Sequence, residues 1–283
     1  MIIVVILACS SMAAAQGQWK KTWGPVATVV LGYNQFDGTT FQYAVQAASG
    51  DIYQYYGTPQ PWRKVGGPGK SFVIAGGVLY GISPDGSGVY KFKGTPGQWQ
   101  KVGGPAREIY GIDFYAPNPL FATNPQTGDL YNYNSSTGKW TRIGGPGKMF
   151  AAGYNHLYGL SEDGSAVFKY TGTPGKWKKI GGAAARIYAG GDALFATNPQ
   201  SGDIYSFNAA SSKWTRVGGP GKTFAVDADG RLYGLSPDGQ SVHKYTGTPG
   251  KWEKIGGPAA WIYAGGKSLC ATNPDSRDLW CRK

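Results

Sequence analysis

The sequence predicts an all-β fold, a seven-bladed β-propeller built from four-stranded antiparallel blades. A motif of the form Trp-x-x-Val/Ile-Gly-Gly recurs every 37 to 41 residues along the 283-residue chain, beginning at Trp62, Trp99, Trp140, Trp177, Trp214 and Trp252. Each interval between two motifs carries four short segments rich in aromatic and β-branched residues. A repeat of about 40 residues that contains four strands is typical of a propeller blade.

The interval that ends at Trp177 shows the strands of one blade. Its apolar segments begin at Met149, His156, Ala166 and Trp177, and turn clusters of Gly, Pro, Asp or Asn separate them. No window of helical length has an apolar helical period free of Gly or Pro. Each segment is therefore interpreted as an antiparallel strand.

Two types of blade alternate along the chain. The central turn has the form Ser-Pro/Glu-Asp-Gly at residues 83–86, 161–164 and 236–239, and the form Ala-Thr-Asn-Pro at 122–125, 196–199 and 271–274. Because Asp readily hydrogen-bonds the backbone of a tight turn, we expect a turn-capping role for Asp51, Asp85, Asp129, Asp163, Asp203, Asp238 and Asp278. The alternation indicates that the ancestral unit was a pair of blades.

The two ends of the chain complement each other. After Trp252 the sequence supplies three strands and stops before a fourth, whereas Trp19 begins the same motif with no blade in front of it. The N-terminal strand is therefore predicted to complete the last blade, which gives seven blades and leaves no exposed sheet edge. A ring of six blades is the alternative, and it would leave one blade unpaired.

The N-terminal residues 1–15 are interpreted as a secretory signal peptide. They form an apolar run that ends in an Ala-x-Ala-like site before Gln16 and is too short to span a bilayer. Residues 16–283 are then a single propeller domain in an extracellular protein. Residues 6–9 partly match a lipoprotein signal, so a lipid anchor on Cys9 is an open alternative.

The remaining two cysteines fit an extracellular location. Cys270 and Cys281 lie symmetrically on either side of a turn in the last blade. Directly opposed residues in an antiparallel hairpin are close enough for a disulfide. We therefore expect a disulfide between them, with two buried thiols as the alternative.

The sequence offers little for catalysis, and we expect no enzyme, no cofactor and no metal site. Its two histidines are His156, beside a turn, and His243, at a strand position that is aromatic in equivalent blades. Both are interpreted as packing residues rather than general bases. Asp227 and Asp229 resemble a fragment of a calcium loop that lacks further ligands.

One face of the ring is the predicted binding surface. In a four-stranded blade, the connection from strand four to the next strand one lies on the same face as the turn between strands two and three. The candidate ligand-binding residues on this face are Lys70, Arg107, Lys148, Arg186, Lys222, Trp261, Asn124, Asn198 and Asn273. Aromatic, amide and cationic groups suit sugars, and several weak sites on one ring gain affinity through multivalency.

The repeated tryptophans themselves have two interpretations, as sugar platforms or as packing residues between blades. Their position inside a strand favours packing. Trp261 differs from them because it occurs in one blade only, which makes it a better candidate for specificity.

From Trp19 onward the repeats resemble those of tectonins and tachylectin-like propeller lectins. The similarity lies in the Trp-x-x-Ile/Val-Gly-Gly motif, the aromatic-Ala-Gly strand and the Leu-Tyr-Gly-Leu strand. The resemblance implies carbohydrate recognition between neighbouring blades, often of N-acetylated, O-methylated or bacterial cell-surface sugars, and a role in innate defence.

The net charge of +12 favours anionic partners. A basic extracellular ring is expected to prefer sulfated, sialylated or phosphorylated glycan surfaces, and its association should weaken with salt. The absence of a dense basic tract disfavours nucleic acid. The sequence thus predicts a secreted multivalent lectin, and the alternative is a secreted scaffold that binds protein or matrix partners.

Overall fold

The computed structural model describes residues 19–33, 38, 40–57, 61–112 and 118–282. Within these ranges the regular structure consists of 28 β-strands and contains no helix. The strands form seven four-stranded antiparallel sheets, so the seven-bladed propeller predicted from the sequence is confirmed and the six-bladed alternative is wrong. The predicted signal peptide, Cys9 and Gln16 lie outside the described residues.

The strands are numbered in chain order, and β1 (Lys20–Trp23) precedes the first complete blade. Blades one to three consist of β2 (Val26–Tyr33), β3 (Thr40–Gln46), β4 (Asp51–Tyr55) and β5 (Trp62–Pro68); β6 (Ser71–Ala75), β7 (Val78–Ile82), β8 (Val89–Phe92) and β9 (Trp99–Gly103); and β10 (Ile109–Gly111), β11 (Leu120–Thr123), β12 (Leu130–Asn134) and β13 (Lys139–Gly144). Blades four to six consist of β14 (Gly147–Ala152), β15 (Leu157–Ser161), β16 (Val167–Tyr170) and β17 (Trp177–Gly181); β18 (Arg186–Gly190), β19 (Ala193–Thr197), β20 (Ile204–Asn208) and β21 (Lys213–Gly218); and β22 (Thr223–Val226), β23 (Leu232–Leu235), β24 (Val242–Tyr245) and β25 (Trp252–Gly256). Blade seven contains β26 (Trp261–Gly265), β27 (Ser268–Thr272) and β28 (Leu279–Arg282).

The N-terminal strand closes the ring, as the sequence predicted. The sheet order of blade seven is β1-β28-β27-β26, so β1 supplies its outermost strand. Lys20 lies opposite Cys281 and Lys21 lies opposite Trp280. Closure joins the two ends of the chain in one sheet and completes blade seven, which packs against blades six and one.

The apolar core lies between the blades. The buried residues of the described chain form seven clusters, each shared by two neighbouring blades. Between blades one and two, for example, Ile52 and Val65 pack against Ile74 and Leu79, and all four are at most 3% exposed. Each blade is therefore stabilised by contact with both neighbours, as expected for a repeat fold.

Strand four carries a β-bulge in every blade. In blade two, Tyr90 lies opposite Lys101 and Val89 lies opposite Gly103, so Val102 is the extra residue. The extra residues of the other blades are Thr22, Val65, Ile143, Ile180, Val217 and Ile255. A bulge leaves the extra residue outside the ladder, and its backbone groups then need other partners.

The repeated tryptophan motif supplies such a partner from the next blade. The indole Nε1 of Trp140 donates a hydrogen bond of 2.8 Å to the carbonyl oxygen of Val102. Equivalent bonds of 2.7–3.0 Å run round the whole ring, and their donors are Trp19, Trp62, Trp99, Trp140, Trp177, Trp214 and Trp252. We call this bond between the indole and the bulge carbonyl the tryptophan clip. It gives the repeated tryptophans the packing role that the sequence favoured.

The first glycine of the motif provides space for the clip. A Cβ atom on Gly181 would lie 2.9 Å from Nε1 of Trp214, closer than a side chain normally approaches. In blade seven Trp23 takes the place of this glycine, and Trp62 stacks on its ring with centroids 5.1 Å apart and an interplanar angle of 18°. The junction between blades seven and one thus combines the clip with an aromatic stack.

The predicted disulfide is present between Cys270 and Cys281. The two residues are directly opposed in the pairing of β27 with β28, with their Cα atoms 4.0 Å apart. Both are buried against Val26, Val29 and Ala44 of blade one. The crosslink therefore stabilises the sheet onto which the N-terminal strand closes.

The Ser-x-Asp-Gly turns are capped by their aspartates. In blade four, Oδ1 of Asp163 accepts bonds from the Ser165 backbone N–H and the Ser161 hydroxyl at 2.9 and 2.7 Å. These bonds lower the pKa of Asp163 to about 2, and bonds from Ser83 and Ser87 lower that of Asp85 to about 2. The capping role predicted for these residues is confirmed.

We expect Gly181→Ala to destabilise the fold and Gly182→Ala to leave it nearly unchanged. The new Cβ at position 181 meets the Trp214 indole, whereas a Cβ at position 182 has nothing within 4 Å. Overpacking at such a contact costs about 1–3 kcal/mol of unfolding free energy, and an exposed substitution changes it by less than about 0.5 kcal/mol. Urea unfolding of the two variants measures the difference. Equal stabilities would contradict a packing role for this glycine.

Acid is expected to weaken the fold through the turn aspartates. Their folded pKa values lie below the unfolded values, so the stability they contribute is complete above about pH 4 and is lost as the pH falls towards about 2. The double variant Asp85→Asn/Asp163→Asn should therefore lose less in melting temperature between pH 5 and pH 2 than the natural protein. Thermal melts across this range test the prediction, with pH 7 as the reference. Parallel curves for the two proteins would show that these carboxylates do not contribute.

Candidate functional site

Four cavities recur at the same place in four blades. Each lies between a blade and the preceding one, and each is lined by the Gly-Gly connection, the start of the central turn, a side chain from strand three and the clip tryptophan. Their volumes are about 210 Å³ in blade two, 340 Å³ in blade three, 290 Å³ in blade five and 190 Å³ in blade six. We call these cavities the inter-blade pockets.

The pockets open on the face that the sequence analysis selected. The backbone N–H of Ala106, in the connection from blade two to blade three, donates to the carbonyl of Gly86 in the central turn of blade two. Ala184 and Gly164 repeat this bond between blades four and five. The connections and the central turns therefore meet on one face, as predicted.

The pockets of blades two and six have aromatic walls. In blade two, Phe72 and Trp99 line the cavity with ring centroids 6.2 Å apart, and Tyr90 forms a further wall. In blade six, Phe224 and Trp252 repeat the arrangement. These surfaces can contact the C–H face of a ring-shaped ligand.

The pockets of blades three and five are larger and have more polar walls. Thr123, Asn124 and Tyr131 line the first together with the clip tryptophan. Thr197, Asn198 and Tyr205 are their counterparts in blade five. Hydroxyl and amide groups here offer both donors and acceptors.

An aromatic residue of strand three was missed as a site residue by the sequence analysis. In each blade this residue directly follows the buried aliphatic residue of strand three, and it is half-buried. The residues at this position are Tyr53, Tyr90, Tyr131, Phe168, Tyr205 and Trp280, with His243 in blade six. The signal was available, because an aromatic or His follows the buried aliphatic residue of strand three in each repeat. What the sequence did not reveal is that this position faces the pocket rather than the other side of the sheet.

A cation lies directly opposite this residue on strand four of every blade. The register pairs it across the sheet with the strand-three aromatic or His, and the cations are Lys21, Lys64, Lys101, Arg142, Lys179, Arg216 and Lys254. They occupy the third position of the tryptophan motif and are exposed. Directly opposed residues share a face of the sheet, so each cation lies beside an aromatic or imidazole ring.

In four blades this cation forms an ion pair with an aspartate that begins strand three or directly precedes it. The distances are 2.6 Å for Lys21 and Asp278, 2.7 Å for Lys64 and Asp51, 2.8 Å for Arg142 and Asp129, and 2.8 Å for Arg216 and Asp203. The hydrogen bond from the cation lowers the pKa of each aspartate. The main partner of these carboxylates is thus a cation, and the turn-capping role expected for these four is wrong.

His243 stands at the aromatic position in blade six. Its Nε2 lies 2.8 Å from the hydroxyl of Ser241. Burial, together with the nearby charge of Lys254, lowers its pKa. The imidazole is therefore neutral at pH 7 and presents a flat ring to the pocket in place of tyrosine.

Among the predicted site residues, the asparagines lie nearest the pockets. Asn124 and Asn198 line the pockets of blades three and five, and Asn273 holds the same position in blade seven. In each, Oδ1 accepts backbone N–H bonds of 2.8–2.9 Å from the turn that follows. The side-chain oxygen is thus engaged in capping the turn.

The predicted cations lie on the same face but beside the pockets. The ammonium groups of Lys148 and Lys222 approach the central turns of their own blades. Each lies 3.4 Å from the point that a Cβ atom would occupy if the turn glycine had a side chain. Lys70 and Arg107 approach the turns of blades two and three in the same way. None of these cations is among the described residues that line the four inter-blade pockets.

Trp261 and Arg186 begin the first strands of blades seven and five. Both are exposed, and Trp261 shows 40% of its surface to solvent. Neither lines an inter-blade pocket in the part of the chain that the structure describes. They lie at the inner rim of the same face.

A cavity of about 650 Å³ lies on the opposite face, around blade four. His156 and Lys169 are among its lining residues, and His156 lies 3.9 Å from Asp192. Burial and the charge of Lys169 lower the pKa of His156. Across residues 19–282, apart from the gaps given above, no group of three or more His, Cys, Asp or Glu side chains could hold a metal ion. In the same ranges no helix has the length and apolarity needed to cross a bilayer.

Several solved structures share this architecture. Virginiamycin B lyase from Staphylococcus aureus superposes with a TM-score of 0.65 at 13% identity, covering 94% of this chain and 97% of that chain. Oligogalacturonate lyase in complex with manganese has a TM-score of 0.64 at 13% identity, covering 96% and 94%. The CRINKLY WD40 ectodomain of the Arabidopsis thaliana receptor kinase ACR4 has a TM-score of 0.58 at 14% identity, covering 87% and 91%. At these identities the likeness shows the fold alone.

No curated protein matches this chain in sequence. The tectonin domain family, in contrast, matches residues 34–212, a span that begins in blade one and ends in blade five. This span contains the repeated tryptophan motif on which the clip depends. The chain belongs to the tectonin family.

Proposed function

We propose that this protein is a secreted multivalent lectin that binds cell-surface glycans through its inter-blade pockets. The observation that carries the proposal is the repetition, in blades two, three, five and six, of a pocket lined by the clip tryptophan and by the aromatic or imidazole ring of strand three. The apolar walls offer a stacking surface, and the turn residues at the rim offer hydrogen bonds, which is the combination that sugar rings require.

The size of the pockets favours one sugar unit in each. Pockets for drug-sized ligands occupy about 300–1,000 Å³, and the inter-blade pockets measure about 190–340 Å³. A single unit in a shallow pocket binds weakly. A rigid ring with repeated pockets on one face gains avidity for a dense surface, because further contacts become intramolecular after the first.

The remaining features fit the same function. Disulfides persist in oxidising compartments, and the pair Cys270 and Cys281 together with the apolar segment 1–15 supports export. The net charge of +12 favours anionic surfaces, and N-acetylated or O-methylated sugars match apolar walls with amide groups nearby. The function that we propose for these pockets is binding without catalysis.

The clip limits what the tryptophans can do for a ligand. Each indole N–H already donates to a bulge carbonyl, so it is not available to a sugar hydroxyl. The ring surface contributes apolar contact, while the strand-three aromatic is the residue whose loss should affect binding without breaking the clip.

Removing the pocket aromatics should weaken glycan binding without unfolding the protein. Tyr131→Ala/Tyr205→Ala deletes one wall in blades three and five, and loss of an aromatic contact of about 1 kcal/mol lowers affinity roughly fivefold per site. A glycan array at low and physiological salt measures this with residues 16–283. Tyr56→Ala is the matched control, since Tyr56 is an exposed tyrosine that is not among the described residues lining the inter-blade pockets.

The lectin function is supported if the protein binds a defined sugar in a salt-resistant manner, the double variant loses this binding and the control variant keeps it. Equal binding by both variants would place the sugar site elsewhere on the ring. Absence of glycan binding by the natural protein would overturn the proposal and favour a scaffold for protein or matrix partners.

A further inference from the structure

The strand-four cations of six blades fall into two electrostatic classes. In blades one, three, five and seven the strand-four cation is held by an aspartate at 2.6–2.8 Å. In blades two and four the equivalent of that aspartate is Gly88 or Ala166, and the cations are Lys101 and Lys179. Neither lysine forms an ion pair with any residue that the structure describes.

The geometry of blade two places this lysine against the pocket aromatic. A Cβ atom on Gly88 would lie 2.9 Å from Cε of Lys101, 3.4 Å from its Nζ and 2.9 Å from Cε2 of Tyr90. Lys101 and Tyr90 are also directly opposed across β9 and β8. The ammonium group therefore lies next to the ring of Tyr90, over the residue that replaces the aspartate of other blades.

Blade four repeats the arrangement with an apolar ring. Phe168 lies directly opposite Lys179, and Ala166 takes the place of the aspartate. Phe168 is half-buried and Lys179 is exposed. Phe150 and Trp177 repeat the ring pair of the blade-two pocket with centroids 6.1 Å apart, although blade four is not one of the four blades whose pockets are described above. A ligand on the Phe168 ring would have a cation at its edge and no carboxylate at the position that holds one in the neighbouring blades.

The presence or absence of this aspartate determines which charge a ligand can carry at the site. An acidic group at a paired site meets a cation whose charge is already compensated and an aspartate that repels it. Beside the blade-two pocket, and at the equivalent position of blade four, it meets an uncompensated ammonium that lies outside the lining residues, and a charge-assisted hydrogen bond can form. The walls of the blade-two pocket, Phe72, Tyr90 and Trp99, still offer the apolar contact that a sugar ring needs.

We propose that the sites of blades two and four bind an acidic substituent of a glycan, a sulfate, phosphate or carboxylate, through Lys101 and Lys179, while the paired sites bind neutral sugar units. The proposal rests on the lectin function proposed above and assigns a substrate class to two of its sites. One ring then recognises glycans that present neutral and acidic units together.

The test compares matched probes and matched variants. The probes are N-acetylglucosamine and N-acetylglucosamine 6-sulfate, titrated into residues 16–283 at physiological salt by calorimetry. Lys101→Gln/Lys179→Gln removes the two charges at the sites. Lys91→Gln/Lys178→Gln removes the same charge from the same blades, at residues adjacent in the chain to Tyr90 and Lys179 whose side chains point to the other face of the sheet.

The sulfated sugar should bind the natural protein and the control variant alike. Its affinity for Lys101→Gln/Lys179→Gln should fall at least fivefold, while the affinity of the neutral sugar changes less than twofold. Equal loss of sulfated-sugar affinity in the two variants would overturn the assignment and indicate general attraction to the basic ring. Loss for neither variant would also overturn it.

The probes also separate this assignment from the lectin proposal. If the neutral sugar fails to bind but the sulfated sugar binds through Lys101 and Lys179, the neutral-glycan function is wrong and the acidic site stands. If neither sugar binds at probe concentrations up to about 20 mM, both proposals are overturned. Free sulfate is included as a third probe, and binding equal to that of the sulfated sugar would show an anion site that does not recognise sugar.

Supplying the carboxylate tests the same site from the other direction. Ala166→Asp places an aspartate where blades one, three, five and seven have one, so it should pair with Lys179 and weaken sulfated-sugar binding in blade four. Ala166→Asn has a similar size without the charge and should retain binding. Identical loss in both variants would attribute the effect to packing and count against the proposal.

Discussion

The hydrogen bond between a tryptophan indole and the carbonyl of a β-bulge in the preceding blade is the contact on which the rest of the molecule depends. The bulge leaves one carbonyl of each strand four outside the ladder, and a buried carbonyl without a partner is costly. The indole from the next blade satisfies it, for example Trp140 with Val102. Because each blade both donates and accepts this bond, the ring is closed by seven equivalent interactions, and no blade is stable in this form alone.

The same contact shapes the inter-blade pockets. The clip holds the tryptophan ring in the space between two blades. The Gly-Gly connection can pass close to the ring because its first glycine has no side chain that would meet the indole. The strand-four cation lies directly opposite the strand-three aromatic in the last regular pair before the bulge, as with Lys101 and Tyr90. Pocket, cation and clip thus lie together at one local irregularity, repeated round the ring.

Alternation between two blade types gives one fold two kinds of surface. Both types keep the clip, so the difference has little effect on the ring itself. It changes the pocket instead: Asn124 and Asp129 accompany the polar pocket of blade three, whereas Pro84 and Gly88 accompany the aromatic pocket of blade two. Exposed ion pairs contribute little to stability, so the pairing of the strand-four cation can vary from blade to blade with little effect on the fold.

The amino-acid sequence by itself determined the number of blades, the closing role of the N-terminal strand and the pairing of Cys270 with Cys281, because these follow from local strand patterns and from counting repeats. It also predicted that the blade connections and the central turns meet on one face, and it anticipated the packing role of the tryptophans. Only the tertiary structure decided which side chains meet in the pockets. Tyr131 and Arg142 face each other in the regular register of the hairpin that joins β12 and β13, and the cavity beside Tyr131 exists because the neighbouring blade closes it. Contact with a distant segment is not encoded in the pattern of a single repeat, so the sequence favoured Lys70 and Lys148 at the rim, whereas the fold assembled the pockets beside them.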